Sequence, residues 1–385
     1  MDRRVSGHVR GHGIPECGGR HGASLPDHDR SADPNDPPAA IDAVVLNTRA
    51  SWAYFADGGG QFAAVANLGA GPAATTGKVV LADTDGDGDL DVTLAHRPHA
   101  TEVWLNQGGR NFTLASELGM GVAAALADLD GDRRVDLLIA DRDASIIRLG
   151  DGRGQFRDSG QRLAGIGEEG DAALADLDQD GAPDAILVHG SGPGAVYLND
   201  GQGQLTDTGQ RLPAALSLAI GDLDGDGLPD LFLGRASEDQ VWFNDGTGRF
   251  ADSGQRLSGA AGSRDVALGD VDGDGSLDAV TASSDPGPVV YLNDGAGRLR
   301  PGQDIAVGPA EMVGVALADL NGDGALDLFF ANYAGFNQVW YNDGTGRFTD
   351  SGLRIASDRN LDVALGELDG PAVTPSVPGP GPELF

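Results

Sequence analysis

The sequence predicts an all-β protein built from a repeated unit of four short strands, and two recurring motifs carry that prediction. The first is an acidic loop of the form D-x-D-G-D-G-x-x-D, which begins at Asp83 and returns every 45–49 residues. The second is a tight turn of the form N-D-G-x-G between two apolar segments, clearest from Val241 to Phe250. The 61 glycines and 20 prolines among 385 residues are typical of many turns and few long helices.

The acidic loop occurs six times, with oxygen-bearing side chains at loop positions 1, 3, 5 and 9. These residues are Asp83, Asp85, Asp87 and Asp91; Asp128, Asp130, Asp132 and Asp136; Asp176, Asp178, Asp180 and Asp184; Asp222, Asp224, Asp226 and Asp230; Asp270, Asp272, Asp274 and Asp278; and Asp319, Asn321, Asp323 and Asp327.

Side chains crowded in this way repel one another unless a cation lies between them. Hard oxygen ligands in a flexible loop suit calcium, whereas magnesium demands a stricter octahedron. The alternative is a set of solvated acidic turns, because Asp-Gly is also common in turns. Six copies in register, each between apolar strands, favour about six Ca²⁺ sites.

Each repeat contains four strand signals. A small-residue strand such as Ala125-Leu126-Ala127 enters the acidic loop, an apolar strand such as Leu231-Phe232-Leu233 leaves it, and the tight turn joins two more. Four antiparallel strands at this period predict a propeller blade, and seven tight turns predict a seven-bladed β-propeller. A β-solenoid is the alternative, but its coils are shorter and lack this hairpin.

The two ends of the repeat are complementary halves. Asp42 precedes the first tight turn by the same 15 residues that separate Asp230 from Asp245, so the chain starts on the second strand of a blade. The last unit ends after its first strand and a broken acidic loop. We therefore predict a ring closed by one blade shared between the termini. Its metal loop, split among Glu367, Asp369 and Asp42, is expected to bind weakly.

The segments outside the repeat differ from it in composition. Residues 1–40 are predicted to be a disordered lead, 41–370 the propeller, and 371–385 a Pro-rich disordered tail. The lead has no apolar segment of the signal-peptide type, and its histidines lack zinc-like spacing around Cys17. An alternative to the split loop is that 33–36 is a decayed acidic loop.

The charge narrows the classes of partner. A formal net charge of −33 argues against nucleic acid and anionic membrane surfaces. The frame positions of the six loops hold 23 of the 59 acidic residues, and six bound Ca²⁺ would move the net charge to −21. Calcium is therefore expected to act as a folding ligand. No run of 18 apolar residues is present, and a single cysteine excludes an internal disulfide.

These motifs resemble the FG-GAP/VCBS repeat family, whose best-known members are the propellers of integrin α-subunits. The resemblance rests on the acidic loops that follow Ala-Leu-Ala or Ala-Leu-Gly strands and on the Y-L-N-D-G hairpins, and it spans about 41–370. It implies calcium between the first two strands of each blade and an extracellular or cell-surface setting. It also implies adhesion or ligand binding more often than catalysis.

Three residues depart from the family pattern. Arg133 replaces glycine at position 6, where a positive φ is expected, so the second site is predicted to be weaker. Asn321 keeps an oxygen at position 3 but loses a charge. Gln179 replaces glycine at position 4 and is expected to be tolerated.

Antiparallel order places the acidic loops and the tight turns at one end of the ring, here called the acidic rim. The loops of the opposite rim differ between units, and variable loops on a rigid scaffold are typical of a binding surface. We predict a monomer that binds a protein or glycan there, with Tyr333 and Phe336 as candidate contacts; packing of these two rings away from solvent is the alternative. The alternative is a carbohydrate-active propeller, either a lectin or a polysaccharide lyase or hydrolase.

No catalytic residues are predicted. The repeat region holds only three histidines, His96, His99 and His189, and no Ser/His/Asp or HExxH arrangement. His96 and His99 are expected to face solvent on a loop. The aromatic residues of one hairpin slot are predicted to pack blade against blade, with sugar stacking as the alternative; they are Tyr54, Trp104, Tyr197, Trp242, Tyr291 and Trp340.

Overall fold

The computed structural model describes residues 41–57, 61–68, 74–258, 262–284, 287–308, 310–355 and 359–368, with no side-chain description for 63–65. The predicted lead 1–40, the tail 371–385 and Asp369 lie outside these ranges. The described ranges hold strands and turns but no helix, so no described helix is long and apolar enough to cross a membrane.

Twenty-eight described strands form seven four-stranded sheets. Blade 1 contains β28 (Asn360–Gly366), β1 (Asp42–Asn47), β2 (Trp52–Ala56) and β3 (Phe62–Asn67); blade 2, β4 (Thr76–Ala82), β5 (Asp91–Arg97), β6 (Ala100–Asn106) and β7 (Phe112–Met120); blade 3, β8 (Ala123–Ala127), β9 (Asp136–Ala140), β10 (Ala144–Gly150) and β11 (Phe156–Ala164); blade 4, β12 (Gly170–Ala175), β13 (Asp184–His189), β14 (Gly194–Asn199) and β15 (Leu205–Leu212); blade 5, β16 (Ser217–Gly221), β17 (Asp230–Gly234), β18 (Gln240–Asn244) and β19 (Phe250–Asp252); blade 6, β20 (Asp265–Gly269), β21 (Asp278–Ala282), β22 (Val289–Asn293) and β23 (Leu299–Asp304); and blade 7, β24 (Met312–Ala318), β25 (Asp327–Asn332), β26 (Asn337–Asn342) and β27 (Phe348–Ile355).

The strand order confirms the seven-bladed propeller and its closure. Strands are antiparallel and follow chain order in six blades, whereas blade 1 has the order β28-β1-β2-β3. β28 pairs with β1 from Asp42↔Gly366 to Asn47↔Asn360, so one blade is shared between the two ends of the repeat. This pairing removes the open edges that a linear stack of blades would leave.

The core lies between the blades. Seven apolar clusters are each formed by two adjacent blades; one, for example, joins Leu138 of blade 3 to Leu187 of blade 4. The hairpin aromatics belong to these clusters: Tyr291 is fully buried against blade 5, and Trp340 packs on blade 6. The structure therefore supports blade-to-blade packing for this slot.

A glutamine on the outer strand of several blades adds a second contact between neighbours. Gln210 donates from Nε2 to the Phe250 carbonyl (2.6 Å) and accepts from the Phe250 N–H (3.0 Å). Gln161 and Gln303 make the same pair of bonds to Leu205 and Phe348. The side-chain amide thus continues the hydrogen bonding of one blade into the next, where no sheet ladder joins them.

A buried ion cluster joins four blades at the centre of the ring. Lys78 on β4 is the single lysine of the sequence. Its Nζ lies 2.7 Å from Asp265 of blade 6, and 3.9 Å from both Asp171 of blade 4 and Asp362 of blade 1. Since Lys78 reaches three other blades, its amino group lies near the axis. None of the sequence motifs indicates this cluster.

The three carboxylates also hold the inner strands in place. Asp265 accepts from the Val315 N–H (2.9 Å) and Asp362 from the Val79 N–H (2.8 Å), each on the next blade of the ring. Burial alone would lower the pKa of Lys78, but Asp265, Asp362 and Asp171 outweigh it and raise that pKa well above its usual value. Lys78 is therefore charged, and we call it a hub because its amino group contacts carboxylates of three other blades.

Candidate metal centres

The position-9 aspartate of every acidic loop is a buried clamp. Asp184, for example, is fully buried at the start of β13. Its Oδ2 accepts from the Leu177 N–H of the same loop (2.8 Å), and its Oδ1 accepts from the Asn199 N–H at the tight turn (2.7 Å). The other five loops repeat both bonds. One carboxylate therefore fixes the acidic loop against the tight turn.

Position 1 is held by the loop backbone. In the second loop, Asp128 Oδ1 accepts from the N–H groups of Gly131 (2.8 Å) and Asp132 (3.1 Å), and Oδ2 accepts from the Arg133 N–H (2.8 Å). These bonds turn the carboxylates inward before any ion arrives, which lowers the ordering needed for binding.

The structure brings positions 1, 3 and 9 together, with their ligand oxygens within 4.8 Å of one another. The triads are Asp83, Asp85 and Asp91; Asp128, Asp130 and Asp136; Asp176, Asp178 and Asp184; Asp222, Asp224 and Asp230; and Asp270, Asp272 and Asp278. In the sixth loop, Asn321 takes the middle place, and Asp319 and Asp327 keep the same backbone bonds.

Position 5 lies outside these triads. Asp132 donates its N–H to Asp128 and Asp130, and its own Oδ1 accepts from the Arg134 N–H (3.0 Å). Its role as a metal ligand stays a prediction, as it does for Asp87, Asp180, Asp226, Asp274 and Asp323.

The electrostatics of the triads suit a cation. Burial raises the pKa of the position-9 carboxyl to about 7 at Asp91, Asp184, Asp230 and Asp278, and to about 6 at Asp136 and Asp327. Burial and then the neighbouring carboxylates raise the pKa of the position-3 residues Asp85, Asp130, Asp178, Asp224 and Asp272. A divalent ion among these groups would favour their charged forms.

The donor set fits calcium. All ligands of a triad are carboxylate oxygens in a loop of nine residues, the chemistry that Ca²⁺ prefers. In the third loop, the buried Oδ1 of Asp178 accepts no hydrogen bond from any described residue. A bound ion would satisfy this oxygen, so Asp176, Asp178 and Asp184 would hold it.

Both glycine positions of the loop require a left-handed backbone. Position 6 has φ near +90° where it is glycine, as at Gly88 (95°), and Arg133 has φ 66°. Position 4 is also left-handed, and Gln179 has φ 62°. The loop thus accommodates Gln179 at position 4, but in a left-handed conformation that the sequence pattern had assigned only to position 6.

Arg133→Gly and Gln179→Gly are each expected to stabilise the protein by about 0.5–1 kcal/mol, because relief of left-handed strain exceeds the entropy cost of glycine. Arg133→Gly should also raise the calcium affinity of the second loop. Denaturant unfolding in calcium measures the first effect. Arg134→Gly is the control: Arg134 has no positive φ and pairs with Asp132 (3.3 Å), so this change should destabilise.

The split loop of blade 1 has the frame of the other six where it is described. Asp42 takes the position-9 role, because it accepts from the Leu368 N–H (2.9 Å) and the Ala56 N–H (2.8 Å). Glu367 precedes Leu368 as position 1. Asp369 and the alternative loop at 33–36 lie outside the described residues, and weak metal binding here stays a prediction.

The asparagine before the tight turn locks neighbouring acidic loops together, a role that sequence analysis missed. Asn199 Nδ2 donates to the Leu129 carbonyl at position 2 of the preceding blade's loop (2.9 Å). The same bond is made by Asn106, Asn244, Asn293 and Asn342. An asparagine stands before five of the seven tight turns, and this recurrence could have indicated a structural role for it.

The opposite rim is built from loops that are each held in a different way. In blade 5, the buried Asp239 accepts from the Arg235 N–H (2.8 Å) and Ser263 Oγ (2.8 Å). The blade 7 loop is held from blade 1, where Asn360 Nδ2 donates to Asn337 Oδ1 (2.7 Å) and to the Asn332 carbonyl (2.9 Å). These buried groups give each loop a fixed shape.

The predicted contact residues of this rim differ in exposure. Phe336 is 50% exposed in the turn that the asparagines hold, and Tyr333 is half-buried beneath Arg359, whose guanidinium lies 5.9 Å from its ring centroid. We had expected His96 to face solvent on a loop, but this was wrong: His96 lies buried in β5. Burial, and then His99, lower the pKa of His96 to about 4.

Together, fold and site define a β-propeller whose blades carry repeated acidic loops able to hold metal ions. The pattern described as FG-GAP-like repeat matches residues 128–187, 176–233, 222–281, 270–330 and 319–370, which span more than half of the chain. The protein therefore belongs to the FG-GAP repeat family, as its sequence motifs predicted. No curated protein sequence matches the chain.

Solved structures confirm the propeller architecture. A lectin of Agrocybe aegerita described as recognising non-reducing terminal N-acetylglucosamine is 19% identical, with a TM-score of 0.55 over 86% of this chain and 96% of its own. A lectin of Burkholderia pseudomallei is 17% identical (TM-score 0.54; 83% and 99%). A periplasmic gluconolactonase of Pseudomonas aeruginosa is 12% identical (TM-score 0.57; 85% and 99%). At these identities the likeness concerns the fold alone.

Proposed function

We propose that the protein is a calcium-stabilised binding module that recognises a glycan or protein ligand through its opposite rim, in an extracellular or cell-surface setting. The observation that carries this proposal is the contrast between the rims. The acidic rim repeats one clamped loop, so its residues serve the scaffold. The opposite rim presents loops of different sequence in fixed shapes, as a recognition surface requires.

The rim of blade 7 is the first place to expect contact. Phe336 is one of three large apolar side chains that are exposed among the described residues, and the asparagine network beneath it is buried. A rigid exposed aromatic ring stacks on a sugar or anchors a protein contact at low entropic cost. The two lectins of similar fold support a glycan as the first ligand class to test.

Phe336→Ala is expected to lower ligand affinity at least tenfold, because it removes the exposed anchor and leaves the buried network intact. The ligand is first sought on a broad glycan array in excess calcium and measured by calorimetry. Leu114→Ala is the control, since Leu114 is 43% exposed on the outer strand β7, away from this rim. Equal affinities for wild type and Phe336→Ala would remove blade 7 from the binding surface.

The second candidate is a carbohydrate-active enzyme, which the gluconolactonase of similar fold supports. Lactone hydrolysis and polysaccharide depolymerisation, measured in calcium, test it. Catalytic turnover in either assay would favour the enzyme over the binding module. Binding on the array without turnover would support the module.

A further inference from the structure

A small polar cleft opens on the opposite rim between blades 1 and 2. Its polar lining consists of Asn47, Ser51, His96 and Glu102, beside the apolar Leu46, Leu68 and Ala74. Elsewhere the blade interfaces are filled by apolar clusters. This cleft lies away from every acidic loop, so its polar residues are not explained by the calcium sites.

Glu102 carries a charge that packing does not require. Its Oε2 accepts from Trp104 Nε1 (2.9 Å). In blades 5 and 7 the same bond is made by glutamines, Gln240 to Trp242 (3.0 Å) and Gln338 to Trp340 (3.2 Å). An amide therefore suffices to orient the tryptophan.

A second carboxylate increases the negative charge beside this cleft. Glu102 is paired across the strands with Glu117, and like charges directly opposite one another destabilise a sheet. Glu102 is also half-buried, so its carboxylate is poorly solvated. A cation at this position would offset both effects.

His96 differs from its counterpart in blade 4. Both His96 and His189 stand five residues after the position-9 aspartate, at the end of the second strand. Nδ1 of His189 accepts from the Ser191 N–H (3.1 Å). Nδ1 of His96 is buried and has no hydrogen-bond partner among the described residues, and the residue is only 4% exposed.

A second imidazole lies beside this atom. The ring centroids of His96 and His99 are 5.5 Å apart, and two imidazoles bound to one zinc ion place their centroids about 5 Å apart. His99 is half-buried in the turn between β5 and β6. The three groups are less tightly gathered than the aspartate triads, and metal binding would draw His99 towards the cleft.

We propose that His96, His99 and Glu102 form a second class of metal site, which binds Zn²⁺ on the opposite rim. Two imidazoles and one carboxylate suit zinc, whereas the all-oxygen acidic loops suit calcium. Three protein ligands leave one coordination position open towards the cleft, where a water molecule or a ligand oxygen binds.

The test uses the full-length chain with Ca²⁺ in excess, so that the acidic loops are occupied. Zn²⁺ is titrated by calorimetry, and Co²⁺ is titrated as a probe with visible absorption. His99→Asn is expected to remove one bound equivalent relative to wild type. Glu102→Gln, which introduces the residue used in blades 5 and 7, should weaken that equivalent at least tenfold. His189→Asn is the matched control and should bind as wild type does.

The histidines of the lead segment and Cys17 are present in every variant, so the difference between variants isolates the proposed site. The changes are placed at His99 and Glu102 because neither is fully buried; an unchanged melting temperature in calcium verifies folding. Equal stoichiometry and affinity in wild type and His99→Asn would overturn the proposal. An unaffected Glu102→Gln would also overturn it, because the carboxylate would then not be a ligand.

Discussion

Removal of calcium is expected to lower the melting temperature of the protein by more than about 10 °C. Each site filled at 100 times its dissociation constant contributes about 2.7 kcal/mol, so even two or three such sites approach the whole stability of an ordinary domain. The structure supplies the reason, because each position-9 clamp ties an acidic loop to a tight turn. Calorimetric melting in calcium and in chelator, together with metal stoichiometry, measures the effect.

The stability of the calcium-free protein should depend on pH more strongly than that of the calcium-bound protein. Without calcium, the pKa of the buried position-9 carboxyls is about 6 to 7, against roughly 3.9 in the unfolded chain. Protonation in the folded state therefore stabilises the chelated protein at low pH, and this contribution is lost progressively as pH rises from about 4 to the folded-state pKa of about 6 to 7. In saturating calcium the folded carboxylates are ionised and bind the ion, and the carboxyls of the unfolded chain are ionised as well, so stability should change little over the same range.

Asp230→Asn tests the position-9 residue of one acidic loop, because the asparagine keeps a side-chain oxygen and loses the charge. It should abolish one calcium equivalent and reduce the pH dependence of the chelated protein. A melting temperature that is indifferent to chelator at pH 7.5 would show that the acidic loops are only turns. The propeller itself would survive that result, because its sheets and interblade clusters do not depend on the ion.

Lys78→Met is expected to destabilise the protein by about 3–5 kcal/mol, since it leaves Asp171, Asp265 and Asp362 buried without their cation. Denaturant unfolding in saturating calcium isolates this effect from the metal sites.

Adding Asp265→Asn to Lys78→Met should recover part of the lost stability, whereas the same change in the wild-type protein should destabilise it. Such a double-mutant cycle measures the coupling between the two residues. Additive effects of the two changes would contradict the hub. Amine-reactive labelling gives a second readout, because the only lysine of the sequence is buried in the folded ring.

The repeated features of the protein could be predicted from its sequence because they are local. The loop spacing and the tight turns indicate four strands per unit, and the 15-residue interval at Asp42 indicates the shared blade. Positions 1, 3 and 9 of five acidic loops come together as a metal site requires. Each of these predictions depends on a short motif within one unit or on the regular return of that motif along the chain.

The missed features join residues of different units. Lys78 meets Asp265 across 187 positions, and Asn199 reaches Leu129 across 70. Local patterns carry no information about such contacts, although the uniqueness of Lys78 was a signal. His96 was assigned to a loop because the strand β5 runs further than its apolar residues suggested, to Arg97.

The shared blade has a consequence for the order of assembly. Blade 1 lacks its innermost strand until β28 pairs with β1, and these strands are separated by nearly the whole repeat. A chain emerging from the ribosome can therefore form six complete blades and still be an open arc. Asp42 gains its second backbone donor, Leu368, only when the arc closes. The ring can therefore close only after β28 has been synthesised.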